Sequence, residues 1–158
     1  MTVIQNIASH LSVKKAGIAG AGGLGSNVAA ALVRSGLGHI VIADYDVVTE
    51  ANLNRQFFFA DQAGQRKVDT LRENLLRINN LADVEAHSCK VTPRNAGSLF
   101  GSCDVVIEAF DLAKEKMVCR VDDRAFSLQT ADHGFGNCRI RQPGNPSYAK
   151  IRQFVHLR

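Results

Sequence analysis

The sequence predicts an α/β fold, a mainly parallel sheet with helices on both faces. Three observations carry this. Strand-like and helix-like segments alternate along the chain. A glycine-rich turn, Gly20-Ala21-Gly22-Gly23-Leu24-Gly25, separates the first buried strand from the helix after it. Asp44 closes the next strand, about twenty residues on.

The elements follow in order. Residues 3–14 read as a short amphipathic helix, with Val3, Ile4, Ile7 and Leu11 on one face. Ala16–Gly20 is a short apolar strand. Gly23–Ser35 reads as a helix with Val28, Ala31 and Leu32 at helical spacing, stopped by Gly36 and Gly38. His39–Ala43 is a buried strand ending at Asp44. Residues 45–64 carry no clear period and read as a functional loop. Gln65–Asn79 is the strongest helix: Val68, Leu71, Leu75 and Ile78 recur at three- and four-residue steps, with charges on the other face. Val84–Cys89 alternates as a strand. Thr92 is placed to cap a short helix ending near Phe100, with Pro93 at its first position. Asp104–Ala109 is a second buried strand, and Lys114–Phe126 reads as a helix. From Asp132 onward no element is assigned. The order of elements makes the fold Rossmann-like.

Composition narrows the function classes. A chain of 158 residues, 46% apolar, has enough material for one domain with a hydrophobic core. We read residues 1–158 as that single domain, with 16–111 as its core. The net charge of +4 comes without a dense Lys/Arg block, so nucleic acid is not implied, and the mild excess of base suits an anionic ligand. No apolar run reaches the roughly 18 residues of a membrane span. The N-terminal stretch lacks a signal-peptide core, so the expected location is the cytoplasm. Cys89, Cys103, Cys119 and Cys138 form no CxxC pair; a zinc site is not expected and reduced thiols are.

The glycine turn fits G-x-G-x-x-G, a weak signal alone but a stronger one between a strand and a helix. Gly20, Gly22, Gly23 and Gly25 permit a tight turn and bring backbone close to a phosphate. The helix N-terminus supplies unpaired N–H groups and a positive dipole end. Asp44 is placed to accept hydrogen bonds from a ribose. Asp46 is either a second polar contact or a loop cap. To this point the reading suits a dinucleotide dehydrogenase equally well.

The next residues choose ATP. Asn52, Arg55 and Gln56 set two amides and a guanidinium beside the phosphate loop, and a guanidinium fork binds phosphate oxygens well. Lys67 opens the strong helix and adds a point charge; alone it would read as a solvated helix residue. Asp111 follows the strand Asp104–Ala109 at its C-terminal end, where a carboxylate can hold Mg²⁺ against a triphosphate or simply cap the next helix.

These motifs together resemble the ThiF/MoeB/HesA family, relatives of the ubiquitin-activating enzymes. The carriers are GAGGLGSN (Gly20–Asn27), DYD (Asp44–Asp46), NLNRQF (Asn52–Phe57), GQRKV (Gly64–Val68) and EAFD (Glu108–Asp111). They span residues 16–111, about 60% of the chain. The nearest likeness is to short ThiF-type sulfur-carrier adenylyltransferases of thiamine synthesis. The resemblance implies that a small ubiquitin-like carrier ending in Gly-Gly attacks the α-phosphate of ATP through its carboxylate, giving an acyl-adenylate and pyrophosphate. By the same resemblance Gly23 lies against the nucleotide and Asp44 binds the ribose. Asn52, Arg55, Gln56 and Lys67 contact phosphates, Asp111 holds magnesium, and the protein is a homodimer. Arg55, Lys67 and Asp111 then form the catalytic set, acting by position and charge.

The chain departs from the family in two places. No arginine precedes Arg34, where many relatives carry one that reaches the partner subunit's site. After Asp111 only His133–Asn145 is similar to the glycine-rich strand of the family; Cys138 lies within it and reads as a small incidental residue. Two alternatives therefore stay open. One is a catalytically incomplete nucleotide-binding or regulatory module of the same fold. The other is an NAD-dependent oxidoreductase, resting on the glycine loop and Asp44 alone.

Overall fold

The structure is a computed structural model. It describes residues 2–110 and the backbone of four later segments, 117–122, 125–130, 138–140 and 149–151.

Helix α1 (Val3–Leu11) opens the chain, capped by a reciprocal pair of bonds between Thr2 and Gln5. It is shorter than the sequence suggests, and Ile7 on its apolar face is 53% exposed. Four parallel strands follow: β1 (Lys15–Ala19), β2 (His39–Asp44), β3 (Asp83–Ser88) and β4 (Val105–Glu108), in the order β3-β2-β1-β4. They are joined by helices α2 (Gly23–Arg34), α3 (Lys67–Ile78) and α4 (Ala96–Phe100). The Rossmann-like arrangement expected from the sequence is therefore present.

Strand register explains how the faces are filled. Ile18 pairs with Ile42 on one side and Ile107 on the other, and all three face the core beneath α2 and α3. One residue earlier the pleat turns over: Gly17 lies between Val41 and Val106, beneath Phe100 of α4. A Cβ on Gly17 would stand 2.6 Å from the Phe100 ring, so the missing side chain is what admits the fully buried ring. Burying a ring or an aliphatic chain of this size is worth roughly 1.5–3 kcal/mol.

Helix α2 buries a different stripe from the expected one. Ala29, Ala30 and Val33 are buried, Val28 and Leu32 only partly, and Ala31 is exposed. Small side chains let the helix lie close to the sheet, leaving the larger ones at the margin. Helix α3 buries Val68, Leu71 and Leu75 as its period predicts. Helix α4 starts later than expected. Asn95, not Thr92, precedes it, and Asn95 Oδ1 accepts from the Thr92 N–H (2.7 Å) and hydroxyl (3.1 Å). Thr92 through Asn95 thus form a turn rather than a first helical turn.

The expected helix over Lys114–Phe126 is not found where the backbone is described. Strands β5 (Met117–Asp122) and β6 (Ala125–Thr130) form an antiparallel hairpin there. Val118 and Val121 stand three apart, which suits a helix, but Cys119 and Val121 also alternate with Arg120 and Asp122, which suits a strand. Over so short a run period alone does not decide, and β-branched content favours the strand. Strands β7 (Cys138–Ile140) and β8 (Ala149–Ile151) extend the main sheet in antiparallel sense beyond β4. Among the described residues no helix is long and apolar enough to cross a membrane.

Candidate nucleotide site

The strand order reverses at the β1/β4 boundary, and ligands of open α/β sheets bind beyond the carboxyl ends of the strands at such a point. Here the chain leaves β1 through Gly20, whose φ of +101° suits glycine alone among common residues. A Cβ on Gly20 would also meet the Ala109 carbonyl oxygen at 2.9 Å. One on Gly25 would overlap the Gly20 carbonyl oxygen. The loop is thus folded so tightly that neither position admits a side chain. Gly22, the N-cap of α2, has no side chain to cap the first turn, whose N–H groups have no intrahelical partner. Anions are attracted to such an end.

Asp44 is buried beside this loop. Its Oδ2 accepts from the Ala21 N–H at 2.6 Å and its Oδ1 from the Asp46 N–H at 2.7 Å. Two bonds leave lone pairs on a carboxylate, which has about four acceptor sites. Asp44 therefore fixes the loop and retains capacity for a further donor.

Lys67 is the first residue of α3, as expected, and its side chain is 7% exposed. Its ammonium pairs with Asp46 Oδ2 at 2.9 Å, and its backbone N–H donates to the Asp46 carbonyl at 3.0 Å. An antiparallel bridge between Val47 and Arg66 sews the same two segments together. The structure thus shows Asp46 as the partner of Lys67, a relationship neither sequence alternative contained.

Gly20, Gly22, Asp44, Asp46 and Lys67 line one open cleft together with Tyr45, Cys89, Val91, Ala109 and Phe110. Of the last five, Tyr45, Ala109 and Phe110 lie within the DYD and EAFD motifs, but the sequence assigns none of the five to the site. Their signal is positional: each lies just past the end of β2, β3 or β4. The Lys90 ammonium stands 5.7 Å from the centre of the Tyr45 ring.

Asn52, Arg55 and Gln56 are not in this wall. The Arg55 side chain passes beside Gly23, with Cγ 3.7 Å from where a Cβ there would sit. Its Nη1 donates to the Ala51 carbonyl (2.7 Å) and to Asn54 Oδ1 (3.0 Å). Asn52 Oδ1 accepts from the Thr49 N–H at 3.2 Å, within a 3₁₀ turn over Glu50–Asn52. Gln56 is 7% exposed, and among the described residues its Oε1 is the buried side-chain atom without a hydrogen-bond partner. A buried amide oxygen in that state is costly, and a bound donor relieves it. Asp111 lies outside the described residues, as does the Cys138 side chain. Among the described residues no three His, Cys, Asp or Glu side chains converge as a metal site.

Comparison with known proteins is consistent with this geometry. Ubiquitin-like modifier-activating enzyme 5 of Caenorhabditis elegans is 34% identical over 125 residues, 72% of this chain and 30% of that protein. The probable adenylyltransferase/sulfurtransferase MoeZ of Mycobacterium tuberculosis is 37% identical over 95 residues, 60% of this chain and 24% of that one. The chain spans less than a third of the length of either relative. The E. coli tRNA N6-threonylcarbamoyladenosine dehydratase TcdA, solved in complex with ATP, superposes with a TM-score of 0.66 at 31% identity, over 69% of this chain and 46% of that one. The ThiF family model matches residues 3–131, taking in the glycine loop, Asp44, the Arg55 loop and Lys67 together. By that match the chain belongs to the ThiF family.

Proposed function

We propose that this chain is an ATP-binding adenylyltransferase domain that activates the C-terminal carboxylate of a ubiquitin-like carrier protein. The observation that carries the reading is the convergence of the glycine loop, Asp44 and the buried Lys67 on one cleft at the β1/β4 reversal. Relatives named as modifier-activating enzymes and adenylyltransferases support it, and so does the ATP complex of TcdA. These named relatives favour the reading over that of an NAD-dependent oxidoreductase.

In this reading the N–H groups at the start of α2 meet the phosphates and Asp44 accepts from the ribose. Lys67 and Arg55 balance charge on the triphosphate, with Asn52 and Gln56 as amide contacts. The carrier's terminal carboxylate oxygen attacks the α-phosphorus. A new P–O bond forms, the bond to the β-phosphate breaks, and pyrophosphate carries away the electron pair. Positioned cations lower the cost of charge building on the leaving oxygens. Asp111 is the residue assigned to magnesium, which when bound supplies further charge neutralisation.

The finer reading is a sulfur carrier ending in Gly-Gly, of the thiamine pathway, with the enzyme a cytoplasmic homodimer and residues 1–158 acting as one domain. It rests on the overall likeness of GAGGLGSN, NLNRQF and GQRKV to short ThiF-type proteins. The test is ATP–pyrophosphate exchange with magnesium and a panel of Gly-Gly carriers. Exchange that depends on a thiamine-type carrier supports the finer reading, and exchange with another carrier supports only the broader one. Tight ATP binding with no exchange for any carrier would sink the enzyme reading and leave a nucleotide-binding module.

A further inference from the structure

We infer that Asn27 and Asn74 are positioning residues: from two different helices they hold the Arg55–Phe57 backbone against the glycine loop, and so set where Arg55 meets the triphosphate. The inference rests on the ATP reading above.

The segment has no strand or helix ladder of its own: the Arg55 and Gln56 N–H groups both donate to the Asn52 carbonyl, and side chains take the Arg55 carbonyl and both backbone groups of Phe57. From α2, Asn27 Nδ2 donates both to the Gly23 carbonyl (2.6 Å) and to the Arg55 carbonyl (2.8 Å). The preceding residue, Ser26, is fully buried; its hydroxyl donates to the Gly22 carbonyl (2.7 Å) and accepts from the Phe57 N–H (3.0 Å). From α3, Asn74 Nδ2 donates to the Phe57 carbonyl at 3.1 Å.

Asn74 is held in turn. It sits on the buried face of α3 at 2% exposure, where an unsatisfied amide is expensive. Gln62 satisfies it in both directions: Gln62 Nε2 donates to Asn74 Oδ1 (2.8 Å), and Asn74 Nδ2 to Gln62 Oε1 (3.0 Å). Gln62 Oε1 also accepts from the Phe59 N–H at 2.9 Å. The Arg55 loop is therefore bonded on one side to the helix that starts at the glycine loop, and on the other to the helix that starts at Lys67. The bonds fix the peptide on either side of Gln56 and leave the Arg55 fork with one nitrogen on its own loop. None of Ser26, Asn27, Gln62 or Asn74 lines the cleft. Their effect on nucleotide passes through the loop.

The test compares ATP with AMP, each titrated with magnesium into the full chain by calorimetry. Asn27→Ala removes an exposed side chain and leaves the core intact; Asn74→Leu removes the buried donor at similar volume. Both variants are expected to reduce the preference for ATP over AMP by roughly tenfold, as loss of one charge-assisted contact to the outer phosphates does. AMP affinity should stay within about twofold, because the loop contact concerns the outer phosphates. A merely structural role would weaken both nucleotides in proportion, and that result, or an unchanged ratio in Asn27→Ala, overturns the inference even if Asn74→Leu fails to fold. A wild-type chain without preference for ATP would overturn the underlying reading, and this inference with it.

Discussion

The Lys67 ammonium, almost wholly buried, lies 2.9 Å from the half-exposed carboxylate of Asp46. The pair is asymmetric. Lys67 without Asp46 is a buried cation whose ion-pair partner among the described residues is gone, whereas Asp46 without Lys67 still reaches water. Breaking a buried pair is costly chiefly through the charge left behind. Asp46→Asn is therefore expected to lower the melting temperature of the ligand-free chain by several degrees, and ATP should restore more of that loss than it adds to the wild type. The gain follows from ligand binding to the folded state alone. Thermal melts with and without ATP check it; equal shifts in both proteins would remove the link between Asp46 and the nucleotide site.

Gly25→Ala places a methyl group on the Gly20 carbonyl oxygen, which is backbone and cannot swing aside. The loop must open, moving the N–H groups at the start of α2. We expect ATP affinity to fall by roughly tenfold or more, since each misplaced charge-assisted bond is worth about 1.5–3 kcal/mol. Gly64→Ala serves as a control, because a Cβ there meets nothing within 4 Å. It is expected to cost some stability through its φ of +86° and to leave affinity unchanged.

The two thiols whose surroundings are described should behave differently. Cys103 is buried, and burial pushes its thiol up to about 11, so it is protonated and shielded at neutral pH. Cys89 is half-buried and lines the cleft. Iodoacetamide followed by peptide mass mapping is expected to label Cys89 well before Cys103, and saturating ATP should slow Cys89 labelling. Labelling of Cys89 that ignores ATP would place the nucleotide elsewhere.

Asp104 ties the start of β4 to β1. Its Oδ2 accepts from the Lys15 N–H at 2.8 Å, and its Oδ1 pairs with Lys14 at 3.1 Å. The backbone N–H of Lys15, and after it the side-chain ammonium of Lys14, hold its carboxyl below the usual range. A depressed folded pKa gives stability that is present above the unfolded carboxylate value of about 3.9 and is lost as pH falls through the folded one. Asp104→Asn should therefore be less stable than wild type at pH 7, with the difference shrinking as the acid limb is descended. Denaturant melts across that range check it; a gap that widens with acid contradicts the sign.

Much of the site was legible because its signals are local. The strand β1, the glycine turn, α2 and Asp44 are consecutive, and each is specified by period or by the steric needs of glycine. Lys67 was placed at a helix start by the stripe Val68, Leu71, Leu75 that follows it. The Asp46–Lys67 pair joins residues 21 apart in sequence through a loop without period, and nothing local announces it. Asn74 is buried in α3 together with Thr70 beside the aliphatic Val68, Leu71 and Leu75, and its partner Gln62 sits in that same loop, so the sequence does not mark the pair. The 114–126 region failed for a different reason. Val118, Val121 and Phe126 fit a helix and a hairpin about equally, and strand pairing, which decides between them, is not local.

On the proposed reading the cleft at Gly20–Gly25, Asp44 and Lys67 is built for a triphosphate. Competitive calorimetry with ATP and NAD on the full chain, in magnesium, tests it most directly. The account predicts binding of ATP at least roughly tenfold tighter than NAD, with that margin reduced in Lys67→Ala and Arg55→Ala. Binding of NAD as tight as that of ATP, or an ATP affinity indifferent to both substitutions, would contradict it.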